Sequence, residues 1–129
     1  MLTREQILQV QDHPTEVVPV EEWGGEVTVR TISGREKDVF EADIAAFKNG
    51  KPTYNLRDFR AKLCALVLVG DDGKPLFSRR DVDALSQKSA AALDRVVEVA
   101  KRLNGFSDSD VEDLAKNSET GQGEDSPTS

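Results

Sequence analysis

The feature that most constrains this chain is a helical pattern of apolar residues between Ser86 and Asn117. At about 100° per residue, the apolar side chains share one arc of roughly 160°, formed by Ala92, Leu93, Val96, Val97, Val99, Ala100 and Leu103. The opposite face is charged and carries Asp94, Arg95, Glu98, Lys101 and Arg102. A helix with so wide an apolar face is not stable alone. The pattern therefore predicts a folded domain in which other elements cover this helix.

Gly105 is predicted to end the long helix, because a helix C-terminus commonly needs a residue that tolerates positive φ. Phe106 follows at a position from which it can fold back on Leu103. Ser107 and Asp110 form a capping-box pattern that opens a second, short helix, whose apolar side carries Val111, Leu114 and Ala115. The chain is therefore predicted to end its folded part in a helix pair.

The first part of the chain is predicted to form a short helix and a β-hairpin. Thr3 begins the helix, which has a capping-box pattern and runs to about Gln11. Residues 17–20 and 27–32 follow as two strands, with glycines at the turn between them. Pro19 cannot donate a ladder hydrogen bond, so its strand is predicted to lie at a sheet edge.

A second capping-box pattern begins at Ser33 and predicts a helix that runs to about Lys48. Asn49-Gly50 is predicted to end this helix, since both residues tolerate the left-handed conformation. Residues 51–54, which include a proline, are predicted to be a loop.

Residues 56–69 fit two different structures. Their leucines keep a helical period, but the continuous apolar run over residues 63–69, bounded by a Gly-Asp-Asp-Gly turn at 70–73, is typical of a strand. We predict a second hairpin whose strand begins near Arg60. A buried helix is the alternative.

These elements together predict an α+β fold. Ser78 is expected to cap a short helix over residues 81–85, which leads to the long helix. Two hairpins would form a small antiparallel sheet, with the helices packed against it. Residues 1–117 are predicted to be a single domain, and residues 118–129, which contain no large apolar side chain, a disordered acidic tail.

Composition and charge narrow the class of protein. The chain has 129 residues and a net charge of −7, which suits one soluble domain and disfavours general contact with nucleic-acid phosphates. Cys64 is the only cysteine, so no intrachain disulfide is expected and a reducing compartment is favoured. No apolar run approaches the ~20 residues of a membrane helix, and no signal-peptide core is present. We expect a cytosolic protein that binds neither nucleic acid nor membrane.

No pattern in the sequence predicts catalysis, a metal or a cofactor. Phosphate-binding loops, zinc-protease motifs and paired metal-binding cysteines are missing from the sequence. His13, the only histidine, is predicted to be a polar loop residue, and Cys64 lies in an apolar run that is typical of a core position. We therefore predict an interaction domain that is not an enzyme.

Two surfaces are candidates for binding a partner. The arc on the long helix is wider than the ~100° that such a helix commonly buries, and its surplus could face a client or another copy of the chain. A basic patch between Lys48 and Lys62 is the second candidate. The residues that we select are Val97, Val99, Leu103, Phe106, Arg57 and Arg60. The alternatives are that the sheet and neighbouring helix cover the whole arc and that the patch is a solvated face.

Three segments resemble the tail assembly chaperones of long-tailed bacteriophages: VPVEEWGGEVTVRTISGREKDVFE, CALVLVGDDGKPLFSRRDVDALSQKSAAALDRV and AKRLNGFSDSDVEDLAKN. None is a specific signature alone, but their order and spacing cover about residues 10–117. The resemblance implies a protein that binds the tape measure protein, keeps it soluble, helps recruit tail tube subunits and is absent from the finished virion. It also implies that a longer form made by ribosomal frameshifting can accompany this one.

A structural tail protein, such as a tube or connector subunit that stays in the virion, is the alternative function. An enzyme or a regulator is the third, but the sequence offers no site for either. A slippery heptamer in the coding sequence upstream of the stop codon would favour the chaperone.

Overall fold

The computed structural model describes residues 1–105. In chain order the helices and strands are α1 (Arg4–Gln9), β1 (Thr15–Val20), β2 (Gly25–Arg30), α2 (Gly34–Ile44), β3 (Ala45–Lys48), β4 (Lys51–Tyr54), α3 (Phe59–Val67), β5 (Leu68–Val69), α4 (Val82–Ser86) and α5 (Ala90–Leu103). The predicted α+β class with small antiparallel sheets is confirmed. Phe106, the helix predicted after it and the predicted acidic tail lie outside the described residues.

Strands β1 and β2 form the first predicted hairpin, and β5 pairs with the other side of β2. Gly24, in the turn, has a φ of 71°, a left-handed conformation that glycine adopts without a Cβ clash. Among the described residues, strand β1 pairs only with β2, so Pro19 lies on an edge strand as predicted. Val18, Val20 and Val29 are buried, and this sheet therefore forms one wall of the core.

Helix α5 covers the core, as its apolar pattern predicted. Its Ser89 cap accepts a hydrogen bond from the Ala92 backbone at 3.2 Å, and α5 packs against α3, β1 and β2. Five of its side chains are buried, Ala92, Leu93, Val96, Val97 and Ala100. Since burying a side chain such as Val or Leu contributes about 1.5–3 kcal/mol, α5 is a major source of the stability of the fold.

The helix predicted from Ser33 to Lys48 is wrong at its C-terminal end. Its capping box is present, but α2 ends at Ile44. Residues 45–48 and 51–54 are instead the two strands of a separate hairpin, so the predicted loop over 51–54 is also wrong. Asn49 and Gly50 have φ of 55° and 76°. Asn-Gly accommodates positive φ at both central positions of a tight hairpin turn, which explains why the same dipeptide connects two strands here.

The predicted hairpin over residues 56–69 is wrong, and the alternative of a buried helix is correct. Residues 59–67 form α3, and only Leu68 and Val69 form a strand. Five α3 residues are buried, Ala61, Leu63, Cys64, Ala65 and Val67. A helix surrounded by protein on most sides is apolar nearly all round, so its sequence reads as a continuous apolar run.

Cys64 and His13 have the structural positions that the sequence predicted. The Cys64 thiol is buried and donates to the Leu93 carbonyl at 3.7 Å. Burial, with a smaller contribution from the Asp94 charge, raises the pKa of Cys64 to about 12, so the thiol is not activated as a nucleophile. His13 lies in the irregular segment before β1, with Nδ1 3.1 Å from the Thr31 hydroxyl.

Residues 1–105 lack two further features. No helix among them is long and apolar enough to cross a bilayer. The same residues contain no cluster of three or more His, Cys, Asp or Glu side chains placed to hold a metal ion.

Candidate functional site

An open groove of about 650 Å³ lies between α2, α3 and residues 75–83. We call it the α2–α3 groove. Its apolar floor includes Val39, Phe40, Ala65, Leu66, Phe77 and Val82. The Phe40 ring meets the Phe59 ring edge to face, with 5.7 Å between centroids. This aromatic contact helps to hold the two helical walls together.

Arg30 joins the sheet to both helical walls at one end of the groove. Its guanidinium donates to the Leu66 carbonyl at 3.0 and 2.8 Å and to the Glu36 carboxylate at 2.8 Å. Leu66 lies in the last turn of α3, where backbone carbonyls lack helical partners. Arg30 therefore satisfies the C-terminus of α3 while it holds the first turn of α2.

Glu36 stays ionised in this network. Burial, the largest single influence, opposes its charge, but hydrogen bonds from the Ser33 backbone and the Arg30 side chain, together with the Arg30 charge, outweigh it. The pKa of Glu36 therefore lies below its ordinary value. At neutral pH, this end of the groove is held by a charged hydrogen-bond network.

The rim of the groove is charged, with Arg30, Arg35, Lys62 and Arg79 as its basic residues and Glu36, Asp43, Asp58 and Asp83 as its acidic residues. Two ion pairs use half of them, Arg30–Glu36 at 2.8 Å and Arg79–Asp43 at 2.6 Å. Within residues 1–105, Arg35, Lys62, Asp58 and Asp83 form no ion pair. These four charges are therefore available to a bound partner.

Three of the four rim charges without an ion pair in residues 1–105 are separated along the groove, and the fourth, Lys62, lies one turn after Asp58 in α3. Arg35 lies in the first turn of α2, at the same end as Arg30 and the C-terminus of α3. Asp58 precedes the N-terminus of α3, at the other end. The C-terminus of α2 also lies at that end, where Asp43 pairs with Arg79, and Asp83 follows Arg79 by four residues in α4. One end of the groove therefore has an excess of positive charge and the other an excess of negative charge.

Two other regions expose apolar side chains. Helix α1 buries none of its residues, and Ile7 and Leu8 are 55% and 67% exposed. Phe47, on the β3–β4 hairpin, is 78% exposed beside the lysines at the hairpin tip. These side chains lie on a helix without buried residues and near a hairpin tip, whereas the α2–α3 groove is concave and can surround a ligand.

The residues that we selected from the sequence as a candidate partner site lie in different environments in the structure. Val97 is 7% exposed and packs in the core, and Val99 and Leu103 are half-buried against it. Arg57 is exposed, and Arg60 pairs with Asp94 of α5 at 2.6 Å. Phe106 lies outside the described residues. A partner-binding role for these residues stays a prediction, and the available α5 surface is smaller than the sequence suggested.

A scan against protein-family models matches residues 4–117 to the phage tail assembly chaperone family. The match covers most of the chain. The chain belongs to this family. A search of solved structures finds similarity to the tail assembly chaperone of bacteriophage HK97, at 22% identity and a TM-score of 0.55, over 81% of this chain and 95% of that chain. At this identity the match supports the fold alone. A search of curated proteins found no significant match.

Family membership agrees with the chemistry of the groove. A chaperone role is not enzymatic, and the α2–α3 groove combines an apolar floor with a charged rim. Sequence reasoning missed this site because its walls come from three separated segments, one of which was predicted as a strand. The one available signal was Val39, an apolar residue of α2 that lies outside the stripe facing the core and is 49% exposed.

Proposed function

We propose that this tail assembly chaperone binds the tape measure protein of its phage, keeps it soluble and helps to recruit tail tube subunits. The observation that carries the proposal is the α2–α3 groove, a concave apolar surface left uncovered in residues 1–105 of a member of this family. We further propose that the protein acts in the host cytoplasm and leaves before the virion is complete.

The need to keep the tape measure protein soluble is the physical reason for an exposed apolar groove. A tape measure protein is largely a long helix with apolar stripes, which would aggregate if they stayed exposed. A surface that covers such a stripe reversibly must be apolar and accessible in the folded chaperone. The groove floor offers half-buried side chains such as Leu66, Phe77 and Val82, which pack against the core on one side and expose surface on the other.

The groove is a better client site than the apolar arc of α5. Val96 and Ala100 are fully buried, and Val97 is nearly so. Exposing them to a client would require the domain to open, which would forfeit the apolar burial that holds the fold. A client can reach the groove without that cost.

Co-expression with the tape measure protein tests the proposal. The tape measure protein should be insoluble when made alone, and it should stay in the soluble fraction and co-purify when this chain is present. Raising salt from low to physiological concentration should weaken the complex only modestly, because apolar contact is screened less than charge attraction. If the basic patch dominated instead, salt would release the client, and Arg57→Glu with Arg60→Glu would abolish co-purification.

Purified virions test the alternative function. A structural tube or connector protein would be present there in stoichiometric amounts and would have no effect on tape measure solubility. That pair of results would contradict the chaperone proposal. For tube recruitment, we expect the tail tube protein to join the soluble complex only when both this chain and the tape measure protein are present.

A further inference from the structure

We infer that the α2–α3 groove receives about two turns of an amphipathic α-helix, with the N-terminus of that helix at the end marked by Asp58 and Asp83. The inference rests on the proposed function for the source of the helix, the tape measure protein. It adds the form of the bound segment, its length and its direction.

The walls of the groove favour a helix over an extended peptide. An extended peptide usually binds by adding a strand to a free sheet edge. The short strand β5, which directly follows α3, is paired with β2 on one side and forms a bridge from Val69 to Pro75 on the other. The groove therefore presents side chains and no free strand edge within the described residues. Helix-in-groove binding needs only such an apolar channel.

The length follows from the wall that α2 provides. Its lining residues run from Arg35 to Asp43, and eight steps of about 1.5 Å span roughly 12 Å. A bound helix of about two turns matches this length, and it would insert apolar side chains at positions i, i+3 or i+4, and i+7. A volume of about 650 Å³ lies within the range of pockets that enclose specific ligands.

The direction follows from the unpaired charges. Because α2 and α3 run in opposite directions along the groove, their helix dipoles oppose each other. The charged side chains therefore determine the electric field along the groove. A bound helix carries partial positive charge at its N-terminus and partial negative charge at its C-terminus. Its N-terminus should therefore lie near Asp58 and Asp83, and its C-terminus near Arg35. Lys62 lies in α3 one turn beyond Asp58 and faces the middle of the bound helix.

Two matched pairs of variants test the location by co-purification. Val39 and Ile7 are both exposed aliphatic residues on helices, at 49% and 55%. Val39→Arg should reduce the amount of co-purified tape measure protein about tenfold, as loss of an interface anchor does, and Ile7→Arg should leave it unchanged. Arg35→Glu should reduce it by roughly threefold, as loss of a rim charge does, and Arg4→Glu, at an exposed arginine of α1, should not. Circular dichroism melts check that each variant is folded.

Overlapping peptides of the tape measure protein, added to ¹⁵N-labelled chain, test the form and direction. The tightest peptide should become helical and shift amide signals around the groove. A spin label at its N-terminus should broaden Asp58 and Asp83, and a label at its C-terminus should broaden Arg35. The reverse pattern would overturn the direction. Binding elsewhere, binding in an extended form or no binding by any peptide would overturn the inference.

The results separate the two proposals. If the wild-type chain does not keep the tape measure protein soluble, the proposed function fails, and the peptide experiment alone decides whether the groove binds a helix. If the wild type succeeds and Val39→Arg succeeds equally, the function stands and the groove is not the client site.

Discussion

Helices α5 and α1 begin with similar capping signals, but α5 packs in the core and α1 lies exposed on the surface. Thr3 and Gln6 complete a capping box for α1, with reciprocal hydrogen bonds of 3.2 and 2.9 Å. Ser89 caps α5 with a single bond. Yet α1 buries no residue, and α5 buries five. A cap determines where a helix begins, whereas tertiary contact determines whether it stabilises the fold.

The polar residues of the two helices differ in the same way. In α5, Arg95 pairs with Glu22 at 2.8 Å, and Arg102 pairs with Glu16 at 2.7 Å. Both pairs connect the helix to the first hairpin. The ion pair recorded for α1 joins the adjacent residues Arg4 and Glu5 at 3.1 Å and connects no other element. Variants in each helix can therefore test how much tertiary contact matters.

The largest expected effect is from a charge in the core face of α5. Val96 has no exposed surface, and Val96→Asp should abolish cooperative folding, because burying an unpaired charge costs several kcal/mol. Ile7→Asp makes a similar change on α1 and should leave the melting temperature unchanged. Circular dichroism melts measure both variants. A wild-type melt for Val96→Asp would show that the assignment of the core face is wrong.

A smaller loss is expected at the C-terminus of α5. The Asn104 side chain accepts from the Ile32 backbone at 2.8 Å and donates to the Ala100 carbonyl at 2.9 Å. Asn104→Ala should lower the free energy of unfolding by about 1–3 kcal/mol, since the Ile32 amide loses its partner. Gln9→Ala, at the end of α1, is the control and should have no effect in urea titrations. If the two variants lowered the free energy of unfolding equally, the conclusion that α5 stabilises the fold more than α1 would be wrong.

Acid should weaken the attachment of α5. Hydrogen bonds from Arg102 and Arg95 lower the pKa of Glu16 and Glu22 below the ordinary 4.5. Their contribution to stability is therefore present above that pH and is lost as the pH falls through the lowered values. The urea midpoint of the wild type should decline below about pH 4.5 more steeply than that of the Glu16→Gln, Glu22→Gln variant.

Glu5→Gln on α1 is the matched control for the acid experiment, because its ion pair connects no other element. This variant should keep the pH dependence of the wild type. Identical pH profiles for the wild type and the double variant would show that the two ion pairs do not hold α5 to the hairpin.

The smallest effect is expected from the chain end. Deleting residues 118–129 should leave the melting temperature unchanged, since these residues contain no large apolar side chain and, like α1, can bury little. Differential scanning calorimetry of the full and shortened chains measures the difference. A clear drop would show that the segment docks on the domain.

Local signals predicted the parts of the fold that local chemistry controls. The capping boxes at Thr3 and Ser33, the edge position of Pro19 and the core face of α5 are all confirmed. The family could also be predicted from the sequence, because the order of three segments along the chain resembles that of the family. The candidate site could not be predicted from the sequence, since the groove floor combines Val39, Leu66 and Phe77, which lie far apart along the chain.

The sequence by itself determined which residues are apolar, where helices can begin and which fold class and family the chain belongs to. Tertiary structure decided the outcome where a local signal is compatible with more than one structure. Asn49-Gly50 can end a helix or connect two strands, and long-range pairing selected the hairpin. Residues 59–67 keep a helical period and also contain a continuous apolar run, and packing in the core buries five side chains of the helix. Whether a residue is buried depends on how the whole chain packs, so a local sequence pattern alone does not determine it.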